Sequence, residues 1–344
     1  MSNDGGSNLT VLVPAYNEAA TIADTIRSLQ AQTLRPDEII VIDDCSTDNT
    51  ADIARSFGVT VLRPPQNTGC KAGAQNFAMD HVKTQFTMAI DADTMLAPDA
   101  IATLLAAFQN PSIAAACGLV LPRYVKTVWE RGRYIEYLFA FSFYKRIQDY
   151  YERPLISSGC FSAYRTDILR AVGCWSTRTL AEDMDLTWSF YQAGHGVRFI
   201  PQAVCYPVEP HNWNFMRKQL KRWSHGFVQN VRLHWRRVLE IPFLRSLVAV
   251  ALWDAVLASL AYLVALPLLA IFVNPLFLLG YVLDLPAVAF PVLLMAAKRK
   301  EILQAVSSLP GFFVMRAVNS MFILEAVWSE WIVRRPLKVY EKGH

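Results

Sequence analysis

Four short stretches of this chain set polar chemistry beside apolar residues: "VIDD", ending in Asp43 and Asp44; "DAD", Asp91 to Asp93; "LAEDMD", with Glu182, Asp183 and Asp185; and "QLKRW", 219 to 223. At a strand end, side chains two positions apart fall on one side, so Asp91 and Asp93 point together. Two such carboxylates suit a hard divalent cation, Mg2+ or Mn2+, that shares its coordination with a bound diphosphate. The competing reading is a turn that caps the next helix. Asp44 is placed to accept hydrogen bonds from a base or ribose, although Asp43 and Asp44 also fit a turn ahead of "STDNT". A carboxylate of "LAED" can serve as general base on an acceptor hydroxyl. Negative charge at a helix start is favoured by the dipole, which accounts for one or two of the three acids there but not for all. Gln219, Arg222 and Trp223 share one helical stripe. They offer a guanidinium for phosphate charge and an indole for a sugar face, or else a snorkelling interfacial helix.

The elements that must position these groups are legible upstream. "LTVLVPAY", "DEIIVIDDCS", "VTVLRPP" and "QFTMAIDAD" read as strands. Each is followed by a helix-period segment: "NEAATIADTIRSLQAQ", "TDNTADIARSFG" with its stop at Gly58, "KAGAQNFAMDHV" and "PDAIATLLAAFQ". Such alternation predicts an α/β fold with a mostly parallel, Rossmann-like sheet flanked by helices. Ligands gather at the carboxyl edge of such sheets, where Asp43, Asp44, Asp91 and Asp93 all fall. Neither GxxxxGK[ST] nor GxGxxG is present, so a bound nucleotide must be held by carboxylates and a cation rather than by a phosphate-cradling loop.

The second half changes character. Residues 123–153 and 215–238 interleave aromatics with Arg and Lys, as in amphipathic helices at a headgroup layer. Residues 247–273 are apolar except for Asp254, and 275–297 are apolar with Asp284 their only acid before the basic "KRK". About 20 apolar residues span a bilayer, so both are predicted transmembrane helices. Their acids should face protein or a polar cavity. The basic flanks put both outer ends on the cytoplasmic side. A third apolar stretch, 310–333, carries Arg316, Glu325 and Glu330 and is expected to be interfacial or re-entrant.

Composition agrees. The 344 residues are 53% hydrophobic and only 18% charged, with a mean hydropathy of +0.23, which points to a membrane class. The net charge of +4 is too mild for a nucleic-acid partner. Six scattered cysteines show neither CxxC nor zinc spacing and read as reduced thiols. No cleavable signal is apparent at the N-terminus. The expected domains are a disordered 1–8, a cytoplasmic catalytic domain over 9–235 that includes the interfacial helices, and a membrane region over 236–344.

Taken in order, "VPAYNE", "VIDDCSTDNT", "NTGCKAGAQNFA", "DAD", "SSGCFSAYRTDIL", "AEDMDLTW" and "QLKRW" resemble the family-2 glycosyltransferases of the processive, membrane-embedded type. The likeness is nearest to poly-N-acetylglucosamine, chitin-oligosaccharide and hyaluronan synthases and covers about 9–235. It implies a GT-A type fold and inverting transfer from a UDP-sugar, with N-acetylglucosamine or glucose as the sugar, to a growing β-linked glycan. It implies that Pro14, Ala15, Tyr16, Glu18, Asp44, Lys71, Asp91 and Arg222 hold the nucleotide-sugar. Asp93 and Asp91 would hold the metal, and Asp183, supported by Glu182, would be the base. Gly159, Cys160, Gln219 and Trp223 would border the acceptor. Two departures stand out. No span precedes the catalytic segment, and "SSGCF" differs from the usual Gly-Thr or Gly-Pro variants. Two spans make a thin channel, so either the chain oligomerises or it glycosylates a lipid or short acceptor. Single transfer to a polyprenyl phosphate or sphingolipid is the alternative activity, and a catalytically silent nucleotide-sugar scaffold is a third.

Overall fold

The computed structural model describes residues 7–338. The expected disorder of 1–8 therefore falls mostly outside the described residues. Ser7 and Asn8 themselves are engaged: Ser7 Oγ donates to Asp37 Oδ2 and the Gln85 amide donates to Asn8 Oδ1.

The chain divides into two units, one ending at Arg123 and resuming over Gln148–Val208, the other comprising Tyr124–Ile147 and everything from Glu209 on. This differs from a boundary near 236. Both amphipathic segments pack with the C-terminal helices through their apolar faces, so they belong to the helical unit rather than to the sheet.

In the first unit the strands are β1 (Leu9–Ala15), β2 (Glu38–Asp43), β3 (Thr60–Leu62), β4 (Phe86–Ile90), β5 (Met95–Leu96), β6 (Ile113–Val120), β7 (Phe161–Arg165) and β8 (Gly196–Tyr206). They form one sheet in the order β3-β2-β1-β4-β7-β6-β8-β5. The ladders β3/β2, β2/β1, β1/β4 and β6/β8 are parallel. Those of β4/β7, β7/β6 and β8/β5 are antiparallel, so the sheet is mixed. Flanking helices include α1 (Ile22–Gln30), α2 (Thr50–Ser56), α3 (Lys71–Ala78) and α4 (Ala100–Leu105). The period-3.6 residues Ile22, Ile26 and Leu29 of α1 are fully buried. Burying side chains of that size contributes about 1.5–3 kcal/mol each. The β6 run "IAAACGLV" is buried at every position, as a strand covered on both faces requires.

The topology fixes where the site must be. Parallel β1, β2 and β4 all end at one edge, with Ala15 opposite Asp43. Strand β7 runs antiparallel to β4, pairing Phe161 with Ile90. Its leading loop, Gly159–Cys160, is thereby delivered to the same edge.

The second unit is helical. It begins with α5 (Val128–Phe139), whose continuation α6 (Lys145–Tyr150) leads back into the first unit, where α7 (Thr166–Ala171) and α8 (Glu182–Gln192) lie. Helix α5 starts on a capping box: Thr127 Oγ1 accepts from the Glu130 amide, and Glu130 Oε2 accepts from the Thr127 amide. Then come α9 (Trp213–Glu240), α10 (Pro242–Leu252), α11 (Leu266–Phe272), α12 (Leu285–Arg299) and α13 (Ile302–Val327). Met216, Leu220, Met315 and Phe322 form a buried cluster between α9 and α13. At Gly132 of α5 the helices meet closely: a Cβ there would stand 2.5 Å from the Gly311 carbonyl oxygen of α13.

Among the described residues, three helical stretches are long and apolar enough to cross a membrane by length and composition: Pro242–Phe272, Pro275–Arg299 and Ile302–Ile332. The first two match the predicted spans. The third is a continuous helix through Pro310, not a re-entrant hairpin: the proline forfeits one intrahelical hydrogen bond but does not end the helix.

Candidate active site

At the carboxyl edge of the sheet, β2 ends in a buried pair of acids with separate tasks. Asp43 is fully buried and structural, accepting from Arg63 Nη1 at 2.7 Å and from the Ser46 amide at 3.1 Å. Asp44 turns to the next loop. Its Oδ1 accepts from the Thr68 amide at 2.8 Å and its Oδ2 from the Thr68 hydroxyl at 2.9 Å. Asn67 Nδ2 donates to the Asp44 carbonyl. Thr68, which sequence reasoning left inside "NTGCK" without a role, is thus what orients Asp44. This tether also sets the start of α3, where Lys71 is the first residue.

Along β1, Ala15 is buried, and its carbonyl accepts from the Asp44 amide. Pro14 is half-buried and Tyr16 exposed beside it. Glu18 is buried, with Thr21 Oγ1 donating to its Oε2 at 2.7 Å and its own amide donating to Thr50 Oγ1.

Lys71 joins the remaining motifs. Its Nζ pairs with Asp91 Oδ1 and donates to the Gly159 carbonyl at 2.8 Å. The Gly159 amide in turn donates to Asp183 Oδ2 at 2.8 Å. DAD, the Lys71 turn, the SSGCF loop and the LAED turn therefore converge through consecutive polar contacts. Cys160, beside Gly159, accepts from the Asp91 amide through its carbonyl, as strand pairing between β4 and β7 dictates. Asp93 is half-buried, with the Thr94 hydroxyl donating to its Oδ1.

Asp183 stands in the first turn of α8, half-exposed, its Oδ1 accepting from the Met184 amide. Desolvation holds its carboxyl above the ordinary aspartate range, against the opposing pull of the Gly159 amide and the Lys71 ammonium. Glu182 precedes it, half-buried. Asp185 is a different kind of acid. It is fully buried and held bidentately by Arg178, Nε to Oδ2 at 2.8 Å and Nη2 to Oδ1 at 2.7 Å. Arg178 was another residue without a sequence signal, since its partner lies seven positions away across a loop.

Among the described residues no group of three or more His, Cys, Asp or Glu is assembled for a metal ion. The donor set Asp91–Asp93 is a two-carboxylate set. That fits a cation such as Mg2+, which keeps waters and takes one or two carboxylates plus substrate phosphates, and does not fit an all-protein cage.

Gln219, Arg222 and Trp223 lie on α9 in the second unit. There Arg133 of α5 contacts Gln219 and Trp223. Its Nη2 donates to Gln219 Oε1 at 3.0 Å, its guanidinium stands 4.7 Å from the Trp223 ring centroid, and Glu136 and Glu209 balance its charge. Arg133 is buried, Arg222 half-buried and Trp223 exposed on one side. Sequence reasoning saw Arg133 only as one cation of an aromatic segment.

The chain is similar to known proteins in sequence and in fold. The family described as "Glycosyl transferase family 2" matches residues 10–173. The chain resembles the poly-beta-1,6-N-acetyl-D-glucosamine synthases of Staphylococcus epidermidis and Staphylococcus aureus, each 29% identical over 223 residues, covering 63% of this chain and 54% of theirs. It spans about half the length of these curated relatives. In fold it resembles a mannosyltransferase from Pyrobaculum calidifontis, solved with GDP-Man and Mn2+. The TM-score is 0.62 at 19% identity, over 95% of this chain and 88% of that one. The matched residues 10–173 carry the strand-end acids and the Gly159 loop.

Proposed function

We propose that the chain is a membrane-anchored, inverting glycosyltransferase that transfers N-acetylglucosamine from UDP-N-acetylglucosamine to a growing β-linked glycan, with its catalytic unit on the cytoplasmic face. The observation that carries this reading is the convergence of Asp91, Lys71, Gly159 and Asp183 at one sheet edge. The sugar follows from the polymer named for the staphylococcal relatives.

In this reading Asp44 accepts from the uracil or ribose, and Pro14, Ala15, Tyr16 and Glu18 line the same pocket. Asp91 and Asp93 would hold Mg2+ or Mn2+ carried on the diphosphate, a cation that would neutralise charge building on the leaving UDP. Lys71 supplies a fixed positive charge at that end of the site. The acceptor hydroxyl hydrogen-bonds to Asp183, which takes its proton as the oxygen attacks the anomeric carbon. One C–O bond forms as the bond to UDP breaks on the opposite face, and configuration inverts. A raised pKa makes Asp183 a stronger base toward an alcohol than an ordinary aspartate. Glu182 supports that carboxylate, and Gly159 holds its oxygen in place. On α9, Arg222 is assigned to the diphosphate, and Gln219 and Trp223 to the acceptor end.

The test is a panel of UDP-sugars offered to the full chain in detergent, reading UDP release and product mass, with and without chelator. The expected result is chelator-sensitive release from UDP-N-acetylglucosamine and a ladder of products spaced by one residue. A single mass increment on a lipid acceptor would establish the single-transfer alternative, and release from no donor would sink the assignment.

A further inference from the structure

Helix α13 is long enough to cross a bilayer, yet its neighbours bear on whether it does. Its second half runs alongside α9 in the same direction. Lys221 Nζ donates to Glu325 Oε1 at 2.7 Å, and His225 Nδ1 lies 2.8 Å from Glu330 Oε1. Beyond the helix, Gln229 Nε2 donates to the Leu337 carbonyl at 3.0 Å, while Glu330 Oε1 accepts from Gln229 and from the Leu337 amide. Arg232 Nη1 reaches the Glu330 carbonyl. From Lys221 to Arg232 the two segments keep step for about 17 Å of helix.

Helix α9 cannot lie in hydrocarbon: Arg217, Lys218, Lys221, Arg222, Arg232, Arg236 and Arg237 are spread along it, and such charges are excluded from a bilayer centre. A segment hydrogen-bonded along that helix stays on its side of the membrane. Segment 334–338 accordingly lies beside α9, where Leu337 meets Gln229.

Both segments are rich in cations. Arg232, Arg236 and Arg237 of α9 and Arg334, Arg335 and Lys338 of the returning segment are all exposed. Glu240, 3.4 Å from Arg237, is the acid paired among them. On the same stretch of α9, Leu233, Trp235 and Leu239 are each about half exposed, at 46%, 51% and 52%, and the Arg236 guanidinium stands 5.3 Å from the Trp235 ring centroid. Cations alternating with a tryptophan and leucines, at the mouth of a transmembrane helix, match a layer of anionic headgroups over acyl chains.

We propose that the C-terminal end of α9 and segment 334–338 form one binding surface for anionic phospholipid, on the membrane face that carries α9. The surface is separate from the sugar-transfer reading and does not depend on it.

The full chain purified in detergent is titrated with fluorescent phosphatidylglycerol, and unlabelled phosphatidylglycerol or phosphatidylcholine is used as competitor. Saturable binding displaced by phosphatidylglycerol alone and weakened by salt is expected. Each basic residue near such a surface is worth about fivefold, so a variant carrying Arg232→Gln, Arg236→Gln and Arg335→Gln should bind at least about tenfold more weakly. Equal displacement by both lipids, or unchanged binding in the triple variant, overturns the proposal. Topology is read in sealed vesicles. Cysteines placed as Arg237→Cys and Lys338→Cys should react with an impermeant maleimide from the same side, the labelled peptides being located by mass. Labelling from opposite sides overturns it as well.

Discussion

The Gly159 amide donates to Asp183 Oδ2 at 2.8 Å, and a Cβ added at Gly159 would stand 3.0 Å from that same oxygen. A side chain at this position would crowd the carboxylate that the backbone amide holds, and the carboxylate would have to yield by a few tenths of an ångström. Gly159→Ala should therefore push Asp183 off its position and lower kcat by about a hundredfold, the cost of a misplaced reacting group. Donor KM should stay within twofold, and steady-state UDP release at saturating donor decides it.

Asp183→Asn keeps the shape and the hydrogen bond from Gly159 but removes the proposed base. General-base catalysis contributes about 10²–10⁴-fold, so UDP release should fall by that order while donor binding, measured by calorimetry, persists. Unchanged release would reassign the base.

As the proposed base, Asp183 would work only when ionised, so activity should be present above its pKa and lost as pH falls through it. Desolvation has raised that pKa, and Lys71 opposes the rise. The acid limb of kcat against pH should accordingly lie above that of an ordinary aspartate. Lys71→Met should move the limb to still higher pH, with lower activity throughout. A limb that moves down, or stays, contradicts the coupling.

Thr68→Val removes one of the two hydrogen bonds that orient Asp44 and leaves the other, from the Thr68 amide. A single such bond is worth about 1 kcal/mol. Donor KM should rise about fivefold with kcat preserved, as expected for loss of uniform binding.

Arg178→Ala strips the bidentate partner from fully buried Asp185. Taking the cation from a buried carboxylate destabilises a fold by up to about 3–5 kcal/mol. Thermal unfolding in detergent should show a lowered midpoint, with the kcat of the folded fraction unchanged. This separates a structural acid from the reactive one two positions before it.

The parallel half of the sheet was legible because each strand is a short apolar run followed by a helix-period segment, and the position of Asp44 and Asp91 at its edge follows from that. The antiparallel entry of β7 was not. Nothing in "SSGCFSAYR" announces strand direction, and direction is what carries Gly159 to Asp91. Thr68 and Arg178 escaped for a related reason: polar partners across loops leave no period in the sequence. The long apolar stretches stood out because hydropathy depends on composition alone. The association of α5 and α9 with the C-terminal helices depended on pairing, as at Gly132 and Gly311, which a linear reading does not contain.

Gly159 uses both of its peptide groups, its carbonyl toward Lys71 and Asp91 and its amide toward Asp183. A ligand that shifts Lys71 must therefore alter the hold on Asp183, and one that engages Asp183 must be felt at Lys71. In thermodynamic terms the two ends of the site are linked through a single residue. Whatever factor donor binding applies to acceptor affinity, acceptor binding must return to the donor in equal measure.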